Sequence, residues 1–345
     1  MSDQPILQIQ DLCKDFKVRS SKLFEKSKQL HALSHVSLDI QQGETLGIIG
    51  ESGCGKSTLG RCVVGLHSIT SGDIFYKGQN LKELHTKEER KSRHKNIQIV
   101  FQDPYSSLNP RMTCGQLIEE GLIVHNLEPD KKKRRERVFE MMQKVGLDVQ
   151  HIERFPHEFS GGQRQRINVA RALILNPNII VCDEPVSALD VSIQAQVLNL
   201  FRSIQKEFNL TYIFISHDLS VIKHVSDRIA IMYLGTVVEL CAAEKIYSNP
   251  LHPYTKALLS AIPPDSPFEV REQIKLEGDI PSPIGDMKGC PLAGRCPYAT
   301  ARCHEERPQL KEVDPGHQVA CFLMEYKTGN SILLAKNYGK EALSR

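Results

Sequence analysis

Short apolar runs, each stopped by glycine, proline or charged residues, recur along much of the chain. Positions 45–49, 99–101, 178–182 and 212–216 are apolar nearly throughout. Runs this short and uniform suit strands buried on both faces of a parallel sheet, because a one-sided sheet would show alternation. Helical patterning fills the gaps between them: 59–66, about 163–173, and a long block from about 112 to 156 with few strand signals. Strand-rich sequence also covers 6–18, 32–40 and the neighbourhood of 72–76. This alternation predicts an α/β fold around a parallel sheet, with a block of helices inserted.

The turn after the first of these runs carries chemistry. Gly50-Glu51-Ser52-Gly53-Cys54-Gly55-Lys56-Ser57 fits the phosphate-binding loop pattern G-x-x-x-x-G-K-S/T, with a strand before it and a helix after it. Glycines let successive backbone N–H groups turn towards an oxyanion with no Cβ in the way. Lys56 supplies a compact cation near the β and γ phosphates, and Ser57 offers a hydroxyl to Mg2+. The helix starting near Lys56 aims its positive end at the anion. The pattern also arises by chance on loops, but the flanking strand and helix argue against that here.

The run at 178–182 ends in Asp183-Glu184. At the end of a buried strand, Asp183 can hold the Mg2+ shell and Glu184 can polarise an attacking water as general base. Alone, two acids there would read as an ordinary polar turn. Gln102 stands where a strand breaks into Asp103-Pro104, so its amide can reach metal or water. His217 follows the run at 212–216, within reach of a γ-phosphate; singly, such residues are more often a surface amide and a satisfied strand-end histidine. Ser187-Ala188-Leu189-Asp190 reads as a turn with a helix-capping acid. Ser160-Gly161-Gly162-Gln163 opens a helix, and its glycines expose N–H groups at an end that attracts phosphate.

In their order along the chain these motifs resemble the nucleotide-binding subunits of ATP-binding cassette (ABC) transporters, and the resemblance covers nearly the whole length. Ser160-Gly161-Gly162-Gln163-Arg164 is similar to the family's signature, Gln102 to its Q-loop, 187–190 to its D-loop and His217 to its switch histidine. The resemblance implies a P-loop NTPase fold with a helical subdomain at about 103–170, an antiparallel β subdomain and a small C-terminal extension. The ATPase domain would cover 1–262 and the extension 263–345. It implies ATP and Mg2+ as cofactors, with Gly50, Ser52, Gly53, Cys54, Gly55, Lys56, Ser57 and Thr58 around the nucleotide. Ser57, Gln102 and Asp183 would serve the metal, and Glu184, His217 and Gln102 the catalysis. Phe16 sits where the family places an aromatic that stacks on adenine; the family usually has Tyr there, and an ordinary core phenylalanine is the alternative. Because the chain's own loop already binds phosphate, the resemblance implies that Ser160, Gly161, Gly162 and Gln163 cap the ATP of a partner cassette. Two nucleotides would then join two subunits until hydrolysis loosens them.

Two further strings narrow the match. Pro104-Tyr105-Ser106-Ser107-Leu108-Asn109-Pro110-Arg111 resembles the branch that imports oligopeptides and dipeptides. So does Asn249-Pro250-Leu251-His252-Pro253-Tyr254-Thr255, followed by Leu258, Leu259 and Pro263-Pro264. The insert at 20–29 resembles the F-type ATPase of that branch more than its D-type partner. The resemblance implies a D-type sibling as second ATPase, two transmembrane permease subunits, an extracytoplasmic solute-binding protein and a peripheral place on the cytoplasmic face of the cell membrane. Importers of nickel, glutathione and other small solutes use closely similar ATPases. Soluble ABC proteins that act on ribosomes or DNA usually carry two cassettes or a long coiled coil, whereas one cassette and no heptad run are found here. A phosphotransferase would leave the Ser160 motif without a purpose.

Composition constrains the reading further. With 345 residues, 40% hydrophobic and 25% charged, and a net charge of +3, the chain suits a globular catalytic domain plus a smaller one, with no nucleic-acid footprint. The basic run at 131–137 reads as a solvated helix face. The start Met1-Ser2-Asp3-Gln4 lacks a signal-peptide pattern, and no apolar run approaches the about 20 residues that span a bilayer. Four of the ten cysteines, Cys290, Cys296, Cys303 and Cys321, cluster in a proline-rich tail with the spacing C-x5-C-x6-C-x17-C. Without a secretion signal, clustered thiols argue for a metal or cluster before disulfides, and thiolates suit zinc and iron–sulfur alike. The short knuckle of many zinc sites is missing, and the tails of some peptide importers that resemble this one bind a 4Fe–4S cluster. That cluster is the working expectation, with zinc and free thiols as alternatives. Cys13, Cys54, Cys62, Cys114, Cys182 and Cys241 are scattered and read as small apolar residues.

Overall fold

The computed structural model describes residues 4–18, 28–262, 273–285 and 288–325; most of the insert at 20–29 and the Pro263-Pro264 pair lie outside them. The strands are β1 (Leu7–Val18), β2 (Lys28–Ile40), β3 (Thr45–Ile49), β4 (Ser71–Tyr76), β5 (Gln79–Asn80), β6 (Ile97–Val100), β7 (Ile179–Asp183), β8 (Thr211–Ser216), β9 (Arg228–Tyr233), β10 (Thr236–Ala242), β11 (Lys311–Asp314) and β12 (His317–Val319). The helices are α1 (Lys56–Val64), α2 (Lys87–Asn96), α3 (Cys114–His125), α4 (Lys131–Lys144), α5 (Gly161–Leu173), α6 (Val191–Phe208), α7 (Leu219–Val225), α8 (Ala243–Ser248), α9 (Pro253–Ser260) and α10 (Ala301–Glu305).

Two sheets organise the chain. The larger has the order β11-β12-β10-β9-β3-β8-β7-β6, and the smaller, antiparallel one has the order β2-β1-β4-β5. From β9 to β6 the pairing is parallel throughout. Every position of β3, β7 and β8 is buried, as the uniform apolar runs require. Their two faces feed separate cores: Leu46, Ile48, Val181, Ile213 and Ile215 pack towards β1, β2 and α1, whereas Ile49, Ile180, Cys182, Tyr212 and Phe214 pack towards the helical side. The small sheet behaves differently, since in β2 the buried Val36, Leu38 and Ile40 alternate with exposed neighbours.

The inserted block is α3, α4 and α5. Thr113 opens α3 with a capping box, Asp130 caps α4 through Lys132 N–H, and Ser160 caps α5. Leu117, Ile118, Leu122, Val138, Met142 and Ile167 join these helices to the core. The basic run at 131–137 forms the first turns of α4, where only Val138, Met141 and Met142 are buried. Arg134 and Arg135 pair with Glu119 and Glu153 at 2.7 and 2.8 Å, as a solvated, ion-paired helix face would.

The last two strands also join the main sheet. β12 pairs antiparallel with β10 through Glu239↔Val319 and Leu240↔Gln318, and β11 pairs with β12. Arg307 ties the same region to Ser34 Oγ at 2.6 Å. Among the described residues no helix is long and apolar enough to cross a membrane.

Candidate functional site

β3 ends at Ile49, the chain turns through six residues, and α1 begins at Lys56. Glycine is required at two points of that turn. A Cβ on Gly50 would stand 2.1 Å from the carbonyl oxygen of Met232; one on Gly55, whose φ is +104°, would stand 2.4 Å from that of Ala32. Lys56 is 4% exposed and donates to the carbonyl oxygens of Gly50 at 2.6 Å and Glu51 at 3.0 Å. The N–H of Glu51 donates to the Tyr254 hydroxyl at 3.0 Å, and its carboxylate pairs with Arg295 at 3.3 Å. Neither Tyr254 nor Arg295 carries a sequence signal for this role.

The acidic end of β7 faces the loop. Ser57 Oγ donates to Asp183 Oδ1 at 2.7 Å, and Arg61 lies 3.9 Å from the other oxygen. Burial pushes the Asp183 carboxyl above its ordinary pKa, with Ser57 and Arg61 partly opposing the shift. A buried carboxylate facing a hydroxyl is a donor set suited to Mg2+, and these two side chains would hold it.

Glu184 lies one residue past β7 in the left-handed region, φ +48°, with its N–H bonded to the carbonyl of Ile215 at 2.9 Å. Such backbone costs about 1 kcal/mol in a non-glycine residue and persists where surrounding contacts hold it. Two groups converge on one of its oxygens. Gln102 Nε2 donates to Glu184 Oε2 at 2.8 Å, and His217 Nδ1 lies 3.1 Å from the same atom. Gln102 therefore addresses Glu184, while Ser57 and Asp183 meet each other.

One cleft of about 660 Å3 gathers Phe16, Leu30, Ala32, Ser52, Gly53, Gly55, Lys56, Ser57, Thr58, Gln102, Glu184, His217 and Pro283. Phe16 is a half-buried wall of this cleft, edge-on to His67 at 5.4 Å and with Lys14 Nζ 4.8 Å from its ring centre. Gly50 shapes the loop from outside the cleft, and Cys54 lines a smaller neighbouring one. Leu30, Ala32 and Pro283 went unrecognised in the sequence, since apolar wall residues belong to no motif.

The Ser160 motif stands apart from the cleft. Ser160 Oγ accepts from Gln163 N–H at 3.3 Å, and Gln163 Oε1 accepts from Ser160 N–H at 3.0 Å, which closes the capping box of α5. Gly162 is buried against α6, where a Cβ would meet Ile193 at 2.5 Å, whereas Ser160 itself is exposed. Asp190 caps α6 by accepting from Ile193 N–H at 3.0 Å, as its place in the sequence predicts.

The tail cysteines are half-buried free thiols. Burial, joined by the neighbouring thiols, pushes the pKa of Cys290 and Cys296 up and that of Cys321 up to about 12. The four thus lie within electrostatic reach of one another, and Cys290 N–H donates to the Cys303 carbonyl at 2.7 Å. Even so, among the described residues no three His, Cys, Asp or Glu side chains converge closely enough to hold a metal ion.

Comparison with known proteins agrees with this geometry. Residues 33–187 match the ABC transporter family, and residues 238–303 match the oligopeptide/dipeptide transporter C-terminal region. The chain is 52% identical to the oligopeptide transport ATP-binding protein AppF of Bacillus subtilis, over 93% of this chain and 98% of that one. It is 49% identical to the dipeptide transport ATP-binding protein DppF of Escherichia coli, over 93% and 95%. Among solved structures it is similar to a dimeric post-hydrolysis state of the ATP-binding cassette MJ0796 bound to ADP and Pi, with TM-score 0.61 and 29% identity over 69% of this chain and 98% of that one. It is similar as well to cbiO1 from Clostridium perfringens, part of the ABC transporter complex cbiONQ, with TM-score 0.61 and 25% identity over 72% and 92%. Relatedness of this degree along 93% of its length, joined to both regional matches, makes the chain an ATPase of the ABC transporter family, with ATP and Mg2+ as its cofactors and the C-terminal region of the oligopeptide/dipeptide branch.

Proposed function

We propose that this chain is the ATP-hydrolysing subunit of a membrane importer for dipeptides and oligopeptides, held at the cytoplasmic face of the membrane by its partners. The observation that carries the reading is the convergence of Gln102 and His217 on one oxygen of Glu184 beside the phosphate loop. A carboxylate oriented by an amide and an imidazole is placed to accept a proton from water. Lys56 and the loop N–H groups answer the charge of the phosphates. When held by Ser57 and Asp183, Mg2+ supplies further neutralisation of the phosphate oxygens.

Because Ser160 lies outside the cleft, the catalytic unit is read as two cassettes, each capping the other's nucleotide, with a D-type sibling as partner. Residues 1–262 would act as the ATPase unit and 263–345 as the extension typical of the branch. Two permeases and an extracytoplasmic solute-binding protein complete the assembly. Leu66, Ile123 and Val124 are each more than half exposed, and Leu66 and Val124 line a groove between the inserted helices and β6. A groove that sets these apolar side chains beside His94, Glu120 and Arg171 suits an amphipathic cytoplasmic helix of a permease.

Purification from native membranes tests the reading. Two polytopic membrane proteins and a second cassette are expected, and vesicles carrying the complex should take up labelled dipeptide in preference to nickel or glutathione. Recovery with ribosomes or DNA overturns it.

The finer reading of the tail is a cysteine-ligated 4Fe–4S cluster on Cys290, Cys296, Cys303 and Cys321. It is supported by four free thiols within electrostatic reach of one another, which would have to draw closer together to ligate. Iron with acid-labile sulfide in anaerobically purified protein would support it; stoichiometric zinc or metal-free thiols would reject it.

A further inference from the structure

The nucleotide cleft has an end that the phosphate chemistry leaves unexplained. Its charged side is the loop with Lys56, Gln102, Glu184 and His217; its other walls are Phe16, Leu30, Ala32 and Pro283, all apolar. Three of these come from the small sheet and its approach to α1, whereas Pro283 comes from the C-terminal extension. Its place is fixed by backbone. β2 is an edge strand of the small sheet, and residues 283–285 run along its free side: His31 N–H donates to the Pro283 carbonyl at 2.9 Å, Gly285 N–H donates to the Gln29 carbonyl at 3.2 Å, and Leu30 bridges antiparallel to Ile284. On the other side of β2, Leu30 is in register with Phe16. Phe16, Leu30 and Ile284 thus share one register row, and Pro283 stands at the bend just before it.

The same segment reaches the phosphate loop. Ile280, Pro281, Ser282 and Pro283 share a second cleft of about 270 Å3 with Glu51 to Cys54, and Arg295 donates to Glu51 and to the Tyr233 hydroxyl at 3.3 and 3.2 Å. The extension therefore touches both ends of the nucleotide cleft within one chain.

We infer that residues 280–285 form a wall of the nucleotide cleft in cis, with Pro283 contacting the nucleobase together with Phe16 and Leu30. The inference rests on the cleft being the ATP site. Uncharged apolar walls suit a flat, weakly polar ring system, and a proline ring, with φ already fixed, offers that contact at little conformational cost. A base wall carried by the extension would make nucleotide affinity depend on a region beyond the ATPase motifs.

The test separates base from phosphate by titrating the full chain with MgATP and with magnesium tripolyphosphate. Pro283→Ala should weaken MgATP binding about three- to tenfold and leave tripolyphosphate unchanged. Pro283→Val, which restores apolar bulk, should recover most of the loss, and Phe16→Ala should show the same selective effect. Loss of both ligands together would mean that Pro283 only props the loop, and unchanged or tighter MgATP binding would mean that it touches no base; either result overturns the inference. A wild-type chain that binds tripolyphosphate no worse than MgATP also overturns it, while one that binds neither removes the ATP reading beneath it.

Discussion

Glu239 and His317 meet at 2.7 Å with neither side chain accessible to water. The contact joins β10 to the first residue of β12, two strands distant in the sequence that pair antiparallel in the larger sheet. The same carboxylate accepts the N–H groups of Leu251 at 2.8 Å and His252 at 2.9 Å, where the chain turns into α9. One buried acid therefore anchors a strand and a helix entry at once.

Replacing either partner should destabilise the chain unequally. Glu239→Leu strands three buried donors and should cost about 3–5 kcal/mol, whereas His317→Leu leaves the carboxylate two of its partners and should cost about 1–3 kcal/mol. Urea midpoints measure the difference, and equal losses would contradict this account.

Turnover should depend on Glu184 more than on either residue that holds it. Glu184→Gln should keep MgATP binding, trap the nucleotide-bound dimer and lower kcat by about 10²–10⁴-fold. Gln102→Ala and His217→Ala should each lower kcat less, and their combination should fall short of the product, since both act on Oε2. Undiminished hydrolysis by Glu184→Gln would show that another group is the base.

Asp183 makes stability depend on pH in a stated direction. Its pKa is raised by burial, so the folded chain holds this proton more tightly than the unfolded one. Stability is then lost as pH rises from the ordinary carboxylate value through the raised one, and the full loss persists above it. Asp183→Asn should accordingly raise the Tm of nucleotide-free protein at neutral pH, by an amount that shrinks on acidification. With MgATP present the order should reverse, because only the wild type gains from the metal. Thermal scans with and without MgATP check both signs.

The loop glycines should differ in their tolerance of a methyl group. Gly50→Ala drives a Cβ into the Met232 carbonyl and should cost about 1–3 kcal/mol along with at least tenfold in MgATP affinity. Gly53→Ala meets nothing within 4 Å and faces only its φ of +79°, so its cost should be nearer 1 kcal/mol. Thermal midpoints and nucleotide titrations rank the two.

The parallel strands were legible because a strand buried on both faces writes an unbroken apolar run, as Leu46, Ile48 and Ile49 do for two different cores. The polar members of the site were legible because they sit at strand ends or in loops with fixed spelling: Lys56, Asp183, Glu184 and His217. What stayed hidden depends on tertiary approach. β11, Lys-Glu-Val-Asp with no buried position, reads as polar tail until β12 places it. Glu239 and His317 are 78 residues apart, and neither shows that it will be buried. Pro283 and Arg295 reach the site through a region whose sequence announces cysteines. The cysteine spacing itself was legible, but the separation of the four thiols in space was not.

The pairing of β12 with β10 also bears on how the protein keeps to itself. Apart from its last residue, β10 is buried along its whole length, Thr236–Ala242, and part of that cover is β12. A cassette cut before residue 311 would present an apolar sheet edge with free N–H and C=O groups, a template for any passing strand. Such a truncated product should collect in inclusion bodies, and a soluble monomer of it would show that β12 does not shield this edge.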